Sequence, residues 1–214
     1  MRLFERDRSW CKVLEFILTV LLLELTPGPN MAYLATLAVE RGRRAGLLAT
    51  VGVAAGLSVH AVVAALGLGV LIREAPPVYD LLRWIGVGYL LYLAWETWRA
   101  GATGKDLAPS APGSLFWRGF LSNVFNPKSI LLFVSVVPGF IQSDSKGLRL
   151  LVEAAWLGAV YVAIATAIHA SIVLLASQLR PLLIDGAHQR PVRRTLSVAL
   201  VLVAAWLAWS TRRM

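Results

Sequence analysis

One cysteine, Cys11, stands in 214 residues, so no intrachain disulfide and no paired-cysteine redox centre can form. Histidine is nearly as scarce: His60, His169 and His188 are too scattered to make a credible ligand set for a metal. Charged residues make up 15% of the chain against 57% hydrophobic, with a mean hydropathy of +0.67. A water-soluble domain of this length needs far more polar surface, so an integral membrane protein is expected. No Gly-x-x-x-x-Gly-Lys-Ser/Thr pattern occurs, and with it goes a nucleotide-binding motif. Acid is short relative to base, 12 residues to 21, yet this does not indicate a nucleic-acid partner. Arg41, Arg43, Arg44, Arg180, Arg190, Arg193 and Arg194 sit mostly between apolar segments, the distribution of loop anchors at a membrane surface.

What is present is a set of long apolar runs. Segments at about 13–39, 45–72, 78–98, 116–142, 149–178 and 194–211 each reach the roughly 20 residues needed to cross a bilayer. The stretch from Met1 to Lys12 is basic and precedes the first run, as in a secretory signal. That run is too long, however, and leads into a helix break instead of a small-residue cleavage site, so it is expected to stay as the first helix.

Two breaks interrupt these runs. Pro27-Gly28-Pro29-Asn30 falls inside the first and Asn126-Pro127-Lys128 inside the fourth. Proline offers no N–H and glycine has no Cβ, so ordinary helix cannot continue through the first break. The piece before Pro27 is about 14 residues, or about 21 Å of helix, against a hydrocarbon core of about 30 Å. Unwound backbone at that depth must be buried in protein or line a wet cavity. Paired breaks of this kind point to one internal polar site, as in secondary transporters.

The residues from Ala100 to Ser114 form an irregular polar linker marked by Gly101, Gly104, Pro109, Pro112 and Gly113. The chain is thereby read as a single transmembrane domain, 1–214, with one repeat at about 13–98, a linker at about 99–115 and a second repeat at about 116–212. Each half opens with a proline-broken helix and continues with one rich in Ala and Gly. Three spans per half put the second copy into the membrane in the opposite sense. The expected fold is therefore all-α, six transmembrane helices as two inverted three-helix repeats, with helices 1 and 4 broken by proline. The densest basic clusters lie in loops 1–2, 3–4 and 5–6, which places those loops in the cytoplasm and both termini outside. The basic tail from Arg2 to Lys12 votes the other way.

Several separated motifs carry a resemblance. Leu25-Thr26-Pro27-Gly28-Pro29-Asn30, Arg41-Gly42-Arg43-Arg44-Ala45-Gly46-Leu47, Gly52 and Gly56 with His60, and Ala65-Leu66-Gly67-Leu68 come in that order. They are followed by Gly86 with Gly88-Tyr89-Leu90-Leu91-Tyr92-Leu93, by Gly119-Phe120-Leu121-Ser122-Asn123 and Asn126-Pro127-Lys128, and by Phe133, Pro138 and Phe140. Over about residues 13 to 212 the chain resembles the LysE/RhtB-type amino-acid exporter family. The resemblance implies a proton-driven secondary transporter, not an enzyme, that exports amino acids or related small zwitterions across the bacterial cytoplasmic (inner) membrane. It implies an amino-acid substrate, protons and the lipid bilayer as partners, and no cofactor; a homo-oligomer stays open. The chain departs from the family where Leu57 and Ser58 fill a stretch that is often acidic, where Glu24 replaces a small or apolar residue, and where Gly139 replaces a common glutamine.

The substrate-binding candidates are Pro27, Gly28, Pro29, Asn30, Asn123, Asn126, Pro127 and Lys128. A half-helix starting near Pro29 offers its first-turn N–H groups and dipole to a carboxylate. The half-helix ending near Thr26 leaves carbonyls that suit an ammonium group or a proton-carrying water. Lys128, costing at least about 2.5 to 3.5 kcal/mol near the bilayer centre, either binds the carboxylate and pairs with an acid when the site is empty, or snorkels to an interface. Glu24 and His60 are the proton-coupling candidates. Glu24 either pairs with Lys128 and carries the proton or faces a wet cavity without a role in transport. His60 either relays a proton or sits neutral and hydrogen-bonded between helices. His169 and Glu153 have weaker claims. The competing classes are a divalent-metal or other small-solute transporter of the same architecture and a membrane-embedded redox protein or enzyme. The scattered histidines disfavour a metal cargo, and the single cysteine and missing catalytic cluster disfavour the enzyme.

Overall fold

The computed structural model describes residues 2–26, 28–66, 76–103, 111–141, 145–183 and 189–210. Those residues are overwhelmingly helical, with no strand among them. In the first run α1 (Arg2–Leu25) and α2 (Pro29–Arg41) meet at a bend of 58°. Pro29 has no N–H for the Leu25 carbonyl, so α1 stops there, with Thr26 closing back on Leu23 at 3.3 Å. Gly28 takes an extended conformation and Pro29 starts α2, the position where a missing N–H costs nothing.

Along α1 the spacing of four separates two faces. Leu14, Leu18, Leu22 and Leu25 are exposed, whereas Phe16, Val20 and Glu24 are buried, so the acid lies on the face packed inside the protein. Between α2 and α3 (Arg43–Ala65) there is a single residue, Gly42, at φ 83°. That left-handed backbone favours glycine and turns the chain in one step.

Next come α4 (Pro76–Thr103) and α5 (Pro112–Val124). The helix of α4 continues through Gly101 as far as Thr103, four residues into the stretch read from sequence as linker. Residues 67–75 and 104–110, which include the expected end of the second span and the middle of that linker, lie outside the described residues. The second broken run is α5, then α6 (Pro127–Leu131), a π-helical segment (Leu132–Val136) and α7 (Val137–Phe140), with a bend of 51° after α5. Asn126 caps α6 by accepting from the Lys128 N–H at 3.0 Å. Pro138 has no N–H for the Val134 carbonyl, and the π turns before it shift the hydrogen-bond register around the gap. The chain closes with α8 (Gly147–Gln178), the short α9 (Arg180–Leu183) and α10 (Gln189–Ser210).

Helix α3 is central, packed most extensively on α5 and α8, while α10 runs along α4. The α3–α5 contact depends on two glycines. A Cβ built on Gly52 would collide with the Phe116 carbonyl, and one on Gly119 with the Ala49 carbonyl. Backbones this close need small residues, as is usual where helices pack without water to drive them together. Among the described residues α3 and α8 are each long and apolar enough to cross a bilayer, and the bent pairs raise the number to four if each is one span. Leu151, Trp156, Leu175, Val201 and Leu202 are exposed on α8 and α10, as lipid contact requires.

Candidate functional site

The two breaks meet. Lys128, in the first turn of α6, donates from Nζ to the carbonyl of Thr26 at 2.8 Å, across 102 positions of sequence. That carbonyl lies beyond the end of α1, where partners are missing and the dipole favours a cation. Gly28 allows the approach, since its Cβ would stand 3.3 Å from Lys128 Cδ and 3.5 Å from Nζ.

Beneath this contact lies a small, partly open cleft between the two breaks. Its polar wall consists of Glu24, Asn30, Asn126, Lys128, Ser129 and His169, with Gly28 at the break; Met31 and Leu57 are its apolar members. Glu24 is 5% exposed. Its Oε1 accepts from the Tyr161 hydroxyl at 2.6 Å and its Oε2 stands 3.7 Å from His169 Nε2. Glu24 also lies within electrostatic reach of Lys128. The pocket thus holds one buried carboxylate and one half-buried ammonium, each with a hydrogen-bond partner, so both are held at tolerable cost.

A chain of amides ties the breaks together below the charges. Asn30 Nδ2 donates to Asn123 Oδ1 at 2.5 Å, Ser129 Oγ donates to the same oxygen at 3.0 Å, and Ser122 Oγ donates to Asn30 Oδ1 at 3.2 Å. Asn123 is fully buried and its Nδ2 has no partner. These bonds fix α2 against α5 and α6, so the first turn of α2 and the side chain of Lys128 face one space.

Of the residues expected from sequence, Gly28, Asn30, Asn126 and Lys128 line this pocket and Glu24 joins them. Pro29 is buried at the start of α2 and Pro127 at the start of α6, where they shape the backbone; Asn123 stands behind Asn30. Pro27 lies outside the described residues. His60 stands apart from the pocket lining: its Nε2 lies 3.1 Å from the Val124 carbonyl and its ring beside Phe133. Glu153 pairs with Arg149 on the same helix at 3.1 Å. His188 lies outside the described residues.

Tyr161 was not visible as a site residue from sequence, and His169 had only a weak claim. Both lie on the buried stripe of α8, where Leu157, Tyr161, Ala165, His169 and Val173 recur every four residues. A tyrosine and a histidine in an otherwise apolar stripe are the signal that marks them. Phe133 packs edge-on against the Tyr161 ring, centroids 4.8 Å apart, and so aims its hydroxyl at Glu24.

A second charged cluster lies at the other end of α2, about 16 Å along the helix axis. Arg118 donates to both oxygens of Glu96, at 2.5 and 3.0 Å, and Arg41 reaches the same carboxylate at 3.4 Å. Tyr89 donates to the Arg118 carbonyl at 3.2 Å. The cluster ties the end of α2 to α4 and α5 and borders a small, partly open cleft that Tyr33 and Thr36 also line. Arg43 and Arg44 are exposed.

Apolar helices around a buried, charge-balanced pocket where two broken helices face each other are the frame of a membrane transporter. The comparisons with known proteins agree. The chain belongs to the LysE type translocator family, which it matches over residues 21–211. It is 28% identical over 197 residues to the homoserine/homoserine lactone efflux protein of Salmonella typhimurium, covering 90% of this chain and 94% of that protein. It is 32% identical over 131 residues to the leucine efflux protein of the same organism, 59% of this chain and 62% of that one. An uncharacterized membrane protein of Vibrio cholerae is 32% identical over 135 residues, 60% of this chain and 64% of its own length. No solved structure matches the chain.

Proposed function

We propose that this protein exports amino acids or related small zwitterions from the bacterial cytoplasm in exchange for protons, through six spans arranged as two inverted three-helix repeats in the inner membrane. The observation that carries the reading is the contact of Lys128 with Thr26, which joins the two breaks over one pocket. The homoserine and leucine efflux proteins among its relatives support an amino-acid cargo.

In the empty site Lys128 caps the end of α1. An α-amino acid carries both complements: its carboxylate suits the ammonium of Lys128 and the first-turn N–H groups of α2, and its ammonium suits Glu24 and the Thr26 carbonyl. Binding then exchanges one set of charge pairs for another, with no charge left buried alone. Glu24, held by Tyr161 and His169, is the group that carries the coupled proton in the cycle's return step.

Export of radiolabelled amino acids from cells expressing the protein tests the reading, and proteoliposomes with an imposed pH gradient separate its two parts. Glu24→Gln is expected to retain exchange of substrate for substrate, at a raised half-saturating concentration because a charge-assisted bond is lost, and to lose accumulation against a gradient. Uphill transport at the wild-type rate by Glu24→Gln would remove Glu24 from the coupling step.

A further inference from the structure

Resting on the exporter reading, the pocket also shows which end of the substrate is left for recognition. Its described lining holds both polar and apolar side chains. Glu24, Lys128 and the first turn of α2 take the ammonium and carboxylate that all amino acids share, so discrimination must come from what meets the side chain. Met31 and Leu57 are the two apolar side chains of the described lining.

Leu57 is held firmly. It is 1% exposed, and the residue before it, Gly56, is pressed so closely on α5 that a Cβ there would stand 3.0 Å from Asn123 Cβ and from the Phe120 carbonyl. The α3 backbone cannot withdraw without breaking that contact. Met31, on the first turn of α2, is a flexible and polarizable side chain that fills gaps of varied shape. One wall is fixed and the other adapts.

The charge count decides the class. Once the substrate's own ammonium and carboxylate engage Glu24 and Lys128, the described lining has no second carboxylate for a basic side chain and no second ammonium for an acidic one. A lysine side chain there would bury a charge without a partner, and a glutamate side chain would find only the His169 imidazole that already faces Glu24, both of them unfavourable. We propose that Leu57 and Met31 form the specificity wall of the site and restrict cargo to amino acids with uncharged side chains, aliphatic ones being favoured by contact with Leu57.

The test is counterflow exchange in proteoliposomes of the purified protein, using radiolabelled leucine, homoserine, lysine and glutamate. Wild type is expected to exchange leucine and homoserine and to exchange lysine and glutamate at under about a tenth of that rate. Leu57→Ala is expected to weaken leucine about tenfold or more, the scale of lost apolar contact in a specificity pocket, with a smaller effect on homoserine. Leu57→Asp is expected to admit lysine while depressing leucine. Met31→Ala, on the adaptable wall, provides a second reading from a different helix should Leu57 variants fail to fold. It is expected to weaken leucine more than homoserine. Variants that fold and scale all four substrates by one factor, or wild type exchanging lysine as fast as leucine, would overturn the specificity wall and leave the exporter reading standing. A folded wild type that exchanges neither leucine nor homoserine overturns the specificity wall, and failure of every amino acid in the efflux screen overturns the exporter reading itself.

Discussion

Lys128 combines two features that seldom coincide: a cation within an apolar run, and a bond from its ammonium to a carbonyl on the other broken helix. Its cost in the membrane is offset there by the end of α1 and by Glu24. Lys128→Met is expected to raise the half-saturating substrate concentration about tenfold or more, since a charge-assisted bond is lost, while the amount of protein in the membrane fraction is unchanged. Exchange kinetics and membrane immunoblots check this, and unaltered kinetics would reduce Lys128 to a snorkelling residue. Lys128→Arg is expected to impair exchange as well, because a planar fork does not occupy the space of the point-like ammonium that reaches Thr26 beside Gly28. Lys128 and Glu24 were legible in the sequence because a charge in an apolar run carries a cost that demands a reason. Tyr161 was not, since one tyrosine in such a run is unremarkable until the partner of its hydroxyl is known. The two histidines show the limit of spacing alone. His60 falls about 31 residues beyond one break and His169 about 42 beyond the other, and it is His169 that lines the pocket beside Glu24.

The breaks themselves were readable to within a residue or two, because proline acts through covalent structure and needs no tertiary context. Pro29 and Pro127 each start a helix where the preceding carbonyls lose their donors. The π segment at Leu132–Val136 was not readable: its register shift depends on how Pro138 is accommodated between packed neighbours. Restoring ordinary helix at the first break therefore ought to destroy the site without removing the protein. Gly28→Ala with Pro29→Ala is expected to abolish export while membrane insertion persists, as measured by efflux assays normalised to membrane-embedded protein. Export at the wild-type level would mean that the unwound backbone is not part of the site. The added methyl at position 28 acts in the same direction, for it lies against Lys128.

Taken together, the helices bring basic connections to one end. Gly42 and Arg180 are neighbours there, and Arg41, Glu96 and Arg118 join three helices nearby. Clusters that were separate in sequence thus share a face, and the enrichment of Lys and Arg in cytoplasmic loops makes a cytoplasmic position the expected outcome for it. Gly113, in the first turn of α5, has nothing within 4 Å of an added side chain. In a Cys11→Ser background, Gly113→Cys is therefore expected to react with a membrane-impermeant maleimide in inside-out vesicles and not in intact cells. The reverse pattern would invert the topology. The apolar runs of α3 and α8 and the two bent pairs were legible in hydropathy, but the seam between α3 and α5 was not, because it is set by which glycines face which carbonyls. That seam has a mechanical consequence. Gly52 and Gly119 lock α3 to α5 with no space for even a methyl group on either side. Helices pressed together at two such points are expected to move as one piece, so the proposed transport cycle would put its strokes on the joints at Gly28 and Asn126, already bent by 58° and 51°.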